Sequence, residues 1–396
     1  MAKHKVLIVG GGFGGVKAAL ELSDNDNIEI TLVSDGPDLR YYPTLYHTAT
    51  GGKKANSSIP LRVIFENKKI KIIDDKATKL DRKTKAISTA KGESLEYDSL
   101  IIGLGVVTNY FGIPGLDKYS YSIKTQDEVA RFKKHLHQQM DDDRRPDLHY
   151  VIVGAGPTGI ELAGALPGYL KHIMKNHGVK DRKVHIDIIE VLPRLLPRMP
   201  KYTSKVVGKR LRNLGIKIYL GKAVQGQSID ELTVSGKPIR SHTVVWTAGV
   251  TNHPFFKDNE FVLTKRGKVA VDVYLQAEDN LFVIGDNANT PFSGLAQTAL
   301  YDGEFVAINI KRKMRGKDFR SYVAKQPVTV IPAGPHWSAV LWGKISLHGR
   351  PGWLLREASY LIGFRDIQPW PKAVRQFMTE FEEDDNCSVC ARAAIN

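Results

Sequence analysis

Two stretches of this chain repeat one pattern. Residues 6–20 read VLIVGGGFGGVKAAL and residues 151–166 read VIVGAGPTGIELAGAL. Each is an apolar run, a G-x-G-x-x-G turn and a set of small residues suited to the start of a helix. A buried strand that feeds a helix through such a turn opens a doubly wound α/β unit built on a parallel sheet. A chain that carries the pattern twice, with no other internal repeat, is expected to hold two such units.

The remaining pattern sets the second unit inside the first. Lys5–Gly11 and Ile28–Asp35 read as buried strands, and a strand–turn–strand pattern ends at Gly105. Residues 40–52 (RYYPTLYHTATGG) read as a loop with a short aromatic element, and residues 55–67 (ANSSIPLRVIFEN) read as a helix. NYFGIPG, residues 109–115, has Gly and Pro at its bends and reads as a crossover. An amphipathic helix over Thr125–Met140, strands at Tyr150 and Val184–Glu190, and a helix over Tyr202–Leu214 follow. After Thr243–Val250 the pattern returns to the first unit: Asn280–Ala288 is a strand entering a turn, and Gly294–Met314 is a helix. The expected fold class is α/β, with two doubly wound, Rossmann-like dinucleotide-binding domains. Its expected parts are 1–115 and 250–330 as one domain, 116–249 inserted into it, and a C-terminal segment over 331–396.

The glycines carry the chemistry. In each turn the first permits a tight bend, the second lets backbone N–H groups approach a pyrophosphate, and the third allows close helix–strand packing. The helix N-terminus adds partial positive charge. Gly10, Gly12 and Gly15, with Phe13 and Gly14 between, form one expected cradle; Gly154, Gly156 and Gly159 form the other. Each signature alone is weak, but both sit between a strand and a helix, which is the confirming context. The acid that closes the next strand reads the ribose. Glu190 ends VHIDIIE, where a carboxylate accepts ribose hydroxyls and repels a 2′-phosphate, favouring NADH over NADPH. It lies 31 residues beyond Gly159 rather than about 20, and the basic stretch KHIMKNHGVKDRK fills the gap. In the first unit Ser34 holds the matching position and Asp35 follows it, either as the ribose ligand or as a solvated turn residue. Two nucleotides in one chain point to electron transfer between a nicotinamide and a flavin.

Bulk properties narrow the class. A length of 396 residues suits two or three domains, and 57 Lys and Arg against 42 Asp and Glu leave a net charge of +15. The basic residues are dispersed and no nucleic-acid motif appears, so no nucleic-acid partner is expected. General solubility with attraction for phosphorylated cofactors, or an anionic lipid surface, accounts for the charge. No apolar run reaches the roughly 18–20 residues of a membrane span. The start, MAKHKVLIVGGG, enters a strand at once, so a signal peptide is not expected and a cytoplasmic location is. Only two cysteines occur, Cys387 and Cys390, and a lone C-x-x-C does not complete a zinc site; no metal is expected.

Seven segments, in order, resemble the type II NADH dehydrogenases, single-subunit NADH:quinone oxidoreductases that do not pump protons. They are IVGGGFGG, YPTLYHTATG, TNYFGIPG, IVGAGPTGIELAGAL, VVWTAGV, FVIGDNA and AQTALYDG. The resemblance implies FAD in the first domain and NADH in the inserted one. It implies that Asp286 bonds the ribityl chain of FAD and that Glu161 stands beside the nicotinamide–flavin contact. Ala296 and Gln297 are implied to line the flavin, with Gln297 on the quinone side, and Gly249 of TAGV the nicotinamide side. Tyr301 and Asp302 stand where the family commonly has Gln, so Tyr301, four residues beyond Gln297 on the same helical face, is a candidate partner of the quinone. A second departure is IIGLG, where related flavoproteins usually have a Thr before the last Gly.

The C-terminal segment shows two apolar stripes at helical spacing. Leu354, Leu355, Ala358, Leu361 and Ile362 share one face with Arg356 outside it; Trp370, Ala373, Val374, Phe377, Met378 and Phe381 share another. Stripes with Trp and basic neighbours suit helices lying in a membrane interface, or packing on the body or a second subunit. The resemblance implies peripheral attachment to the cytoplasmic face of the cell membrane and a homodimer. The leading expectation is therefore NADH oxidation with reduction of a membrane quinone. Sulfide:quinone oxidoreduction needs cysteines beside the flavin, and residues 1–386 have none. An NADH-sensing flavoprotein and electron transfer to a Cys387/Cys390 dithiol remain the alternatives.

Overall fold

The computed structural model describes residues 3–142 and 146–382. Cys387 and Cys390 lie outside the described residues, as does most of the acidic end that follows Phe381. The first sheet has six strands in the order Gln276–Glu278, Leu281–Val283, Ser99–Ile102, His4–Val9, Ile28–Ser34 and Ile70–Asp74. All its pairings are parallel except that of the outermost strand, Gln276–Glu278. Val6–Val9 are buried on both faces, as a central parallel strand covered by other elements requires. The second sheet has four parallel strands in the order Lys217–Leu220, His185–Glu190, His149–Val153 and Thr243–Trp246.

The chain leaves the first sheet after Ile102 and rejoins it at Gln276–Glu278 and Leu281–Val283, with Leu281 opposite Leu100. Between these points it passes through the second sheet. The exit strand Val106–Thr108 and the return strand Val250–Asn252 pair antiparallel, so the chain enters and leaves the inserted unit side by side. Asn287 fastens this crossing: its side chain accepts from Gly105 N–H at 2.9 Å and donates to the Gly105 carbonyl and the Asn252 side chain at 2.6 Å.

Helix boundaries follow local chemistry. Thr125 caps the helix Gln126–Asp141 in a reciprocal box with Glu128, and the same Glu128 carboxylate accepts the Lys124 backbone N–H at 2.7 Å. The second cradle helix runs over Pro157–Asn176, and its 20 residues account for the long gap between Gly159 and Glu190. Residues 55–67 do not form the expected helix. Pro60 lacks the N–H that a helix interior needs, and the segment divides into the strand Ser58–Pro60 and one turn, Leu61–Ile64.

The C-terminal segment forms a three-stranded antiparallel sheet, Thr329–Pro332, Ser338–Trp342 and Ile345–Gly349, followed by the helices Arg350–Arg365 and Trp370–Met378. The buried face of the first helix is the row Gly352, Arg356, Tyr360 and Phe364, four residues apart. Phe364 stacks on Tyr41 at 4.4 Å, and Tyr41 meets Phe13 of the first cradle edge-on at 5.3 Å. The apolar stripe is turned outward: Leu354, Ile362, Trp370, Val374, Met378 and Phe381 are 45–60% exposed. Leu355 and Leu361 are half-buried, and Ala373 is buried. Among the described residues no helix is long and apolar enough to cross a membrane.

Candidate active site

The two cradles have one geometry. Gly10 and Gly154 adopt φ of +117° and +107°, open to glycine and strained for other residues. A Cβ on Gly15 would stand 2.0 Å from the Gly10 carbonyl, and one on Gly159 would stand 2.0 Å from that of Gly154. The middle glycines differ: a Cβ on Gly12 or Gly156 would meet no protein atom within 4 Å. Nothing in the protein requires glycine there, and the space beside both is what a pyrophosphate at a helix N-terminus fills. Gly14 packs the first cradle helix, Phe13–Leu22, against Ala296–Met314, and a Cβ there would meet Ile284 at 2.7 Å.

Each acid expected to read a ribose sits at a strand end. Glu190 is buried, and its two oxygens accept the N–H groups of Ala155 at 2.8 Å and Leu192 at 2.9 Å. The cradle backbone thus aims the carboxylate and leaves it further lone pairs for hydroxyls. Asp35 is exposed and paired with Arg40 at 2.8 Å, whereas Ser34 is buried beneath Gly11. Asp286 lies half-buried in the turn Gly285–Asn287, and its carboxylate has no hydrogen-bond partner among the described residues. The open acceptor fits a hydroxyl-rich ribityl chain. Together with the Gly12 cradle, it makes the first unit a fit for FAD.

Between the units lies a cleft of about 130 Å³. Tyr42, Leu45 and Tyr46 wall it from the first unit; Lys124, Thr158, Glu161, Thr247 and Gly249 wall it from the second. A Cβ on Gly249 would meet the Phe111 ring at 2.4 Å, so only glycine lets this wall close on the crossover. Glu161 is the fifth residue of its helix, beyond the first turn where the dipole would favour a carboxylate. Burial prevails and pushes its carboxyl up to about 8, against the opposing charge of Arg356. Arg356 itself is buried, donating to the Tyr46 hydroxyl at 2.7 Å, to Glu380 at 2.6 Å and to Glu357 at 2.8 Å. Burial pushes Glu380 up to about 7.

Gln297 and Tyr301 occupy the helix Ala296–Met314 as expected, and both lean on the segment that follows it. Gln297 is exposed and its amide pairs with Val328, accepting from the N–H at 3.0 Å and donating to the carbonyl at 3.2 Å. Tyr301 packs on Tyr322 at 5.5 Å, beneath the Lys325 ammonium at 4.0 Å. Asp302 is buried; it accepts from Gly285 N–H at 2.9 Å and from the Tyr322 hydroxyl at 2.7 Å, holding the Asp286 turn. Burial raises its carboxyl to about 6. Sequence reasoning missed Lys124 and the buried role of Arg356. For Arg356 a signal existed in the four-residue row with Gly352, Tyr360 and Phe364; Lys124 lies in YSIKT, where no motif marks it.

Comparisons with known proteins agree with this geometry. The type II NADH:quinone oxidoreductase of Staphylococcus saprophyticus is 26% identical over 360 residues, 84% of this chain and 88% of its own. That of Staphylococcus aureus is 26% identical over 361 residues, with the same shares. The fold is similar to that of NDH2 from Plasmodium falciparum, solved in complex with NADH: the TM-score is 0.85 at 18% identity, covering 96% of this chain and 97% of that one. It is also similar to the sulfide:quinone oxidoreductase of Aquifex aeolicus, with a TM-score of 0.79 at 20% identity over 97% of this chain and 98% of that one. Residues 4–303, which include both cradles, match the profile of one family, and the chain belongs to it: the pyridine nucleotide-disulphide oxidoreductases.

Proposed function

We propose that this protein is a non-pumping NADH:quinone oxidoreductase that holds FAD in residues 1–115 and 250–330 and NADH in residues 116–249. The observation that carries the reading is the pair of matched cradles whose middle glycines face open space, with a cleft between their units. The names of the Staphylococcus relatives support the reaction. The sulfide:quinone fold likeness is not followed to its chemistry, because residues 1–386 contain no cysteine.

FAD, when bound, accepts two electrons from NADH and releases them to a quinone. The protein's residues do the rest. Gly154–Gly159 and Glu190 bind NADH by its pyrophosphate and ribose, and Gly10–Gly15 with Asp286 hold FAD. The balance is NADH + H⁺ + quinone giving NAD⁺ + quinol, so the site must supply a proton. Glu161, protonated up to about pH 8, holds one at its carboxyl in the cleft. Gln297 and Tyr301 are the proposed quinone-side residues. The outward apolar stripe, with Lys372 and Arg375 beside it, suits a peripheral position on an anionic membrane, at its cytoplasmic face. A second subunit seated on that stripe is the competing occupant. The test is anaerobic stopped-flow reduction by NADH, followed by mixing with a soluble quinone. Rapid bleaching of the flavin and rapid recovery on adding quinone are expected. A flavin that stays reduced with quinone present would favour an NADH sensor and overturn the reading.

A further inference from the structure

Lys124 lines the cleft, and among the described residues its ammonium has no direct partner, with the Asp286 and Glu128 carboxylates acting on it only from a distance. Its backbone is fixed by Glu128, which accepts the N–H groups of Lys124 at 2.7 Å and Thr125 at 3.0 Å. Its ammonium makes no hydrogen bond or ion pair with any described residue, although the side chain is half-buried in the cleft wall. Lys268, the other half-buried lysine near Asp286, is engaged, donating to the Asp286 carbonyl at 2.9 Å and to Ser293 Oγ at 2.5 Å.

Asp286, the ribityl-side acid, and Glu128 are the charges that act on Lys124, and the cleft it lines lies between the two units. Lys124 is therefore within electrostatic reach of the acid proposed to hold the ribityl chain. Burial lowers its pKa, which is the cost of holding a cation where water is scarce. A cation without a direct partner in such a place is suited to an anion that comes and goes. A flavin acquires that charge: taking up a hydride adds two electrons and one proton, leaving one net negative charge on the ring system.

We propose that Lys124 is a cofactor-tuning residue whose ammonium offsets the negative charge that FAD acquires on two-electron reduction, raising its midpoint potential. The inference rests on the FAD reading above. Glu161, which lines the same cleft and is neutral below about pH 8, does not cancel this charge.

The test uses the flavin-loaded full chain and measures the midpoint potential of bound FAD against redox dyes at pH 7, without turnover. Lys124→Met keeps the stem and removes the charge, and Lys124→Arg keeps the charge. Lys124→Gln is a second neutral variant should the first fold poorly. The neutral variants should show a lower potential, with the two-electron equilibrium displaced at least about tenfold, about 30 mV; Lys124→Arg should stay near the parent. An unchanged potential in the neutral variants, or an equal fall in Lys124→Arg, overturns the proposal. A parent chain that binds no FAD would overturn the cofactor reading itself, whereas a flavoprotein with an unmoved potential overturns only the part given to Lys124.

Discussion

Arg356 donates a hydrogen bond of 2.7 Å to the Tyr46 hydroxyl, and through it a C-terminal helix braces a residue of the cleft wall. The guanidinium also holds the carboxylates of Glu380 and Glu357. Arg356→Met leaves those acids buried without their cation, a change that costs about 3–5 kcal/mol in comparable pairs. Glu380 titrates near 7, so at pH 6 it is mostly neutral and the loss is smaller. Thermal unfolding should show a lower Tm for the variant, with a wider gap from the parent at pH 8 than at pH 6. A parental Tm at pH 8 would mean that the cluster contributes nothing to stability.

Glu161 gives a pH signature of opposite sense to a salt-bridged acid. Unfolded, it ionises near 4.5; folded, near 8. Between these values the unfolded chain binds fewer protons than the folded one. The stability attributable to Glu161 therefore falls as pH rises through that window and is level outside it. Glu161→Gln lacks this titration, so in urea unfolding its stability relative to the parent should improve from pH 5 to pH 8. A constant difference would place the carboxyl in water.

Gly12 and Gly15 are three residues apart and should fail differently when each is changed to alanine. Gly12→Ala meets no protein atom and leaves an ordinary extended backbone, so the fold should keep its Tm while FAD retention drops. Gly15→Ala drives a methyl into the Gly10 carbonyl and should destabilise the fold by about 1–3 kcal/mol or more. Unfolding curves and flavin content, measured on both variants, separate the effects.

Glu190 should decide the nicotinamide cofactor. Loss of a charge-assisted hydrogen bond costs about 1.5–3 kcal/mol, roughly ten- to a hundredfold in affinity. Glu190→Ala should narrow the preference for NADH over NADPH, and Glu190→Gln, which can still accept from a backbone N–H, should do so with less damage to the cradle. Parental kcat/KM values for both nucleotides would remove Glu190 from the ribose.

The outward stripe calls for surface substitutions rather than truncation. Removing the helix would uncover Tyr41 and take Arg356 from behind Tyr46 of the cleft wall. Leu354→Glu with Ile362→Glu touches only exposed positions. The pair should release the protein from anionic vesicles in a flotation assay and leave Tm within about 1 °C, as surface changes usually do. Unchanged flotation with a shift from dimer to monomer would assign the face to a second subunit.

The parts legible in the sequence are those that local chemistry dictates. The cradles, Glu190 and the return of the chain near Asn280 all follow from periodicity and glycine spacing. Residues 55–67 misled because an apolar count outweighed one proline. Arg356 is less legible. Its helix shows an apolar stripe that the sequence allows to face a membrane, and the stripe does face outward; what the sequence does not mark is that the buried row contains a charge, because Tyr46, Glu380 and Glu357 supply its partners from distant or adjoining positions. Lys124 is silent for the complementary reason: the proposal rests on its place in the cleft without a direct partner among the described residues, and only the folded chain shows that.

The inserted unit also delays the sheet that surrounds it. Leu100 and Leu281 are neighbours in the first sheet, yet 281 − 100 = 181 residues separate them along the chain. At synthesis rates of about 5–20 residues per second, the edge of Ser99–Ile102 stays without its partner for roughly 10–40 s while the entire insert is made. An uncovered parallel edge of this kind is a template for wrong pairing. The nascent chain therefore has a built-in interval of exposure on the ribosome, one that rapid folding of the second sheet does nothing to shorten.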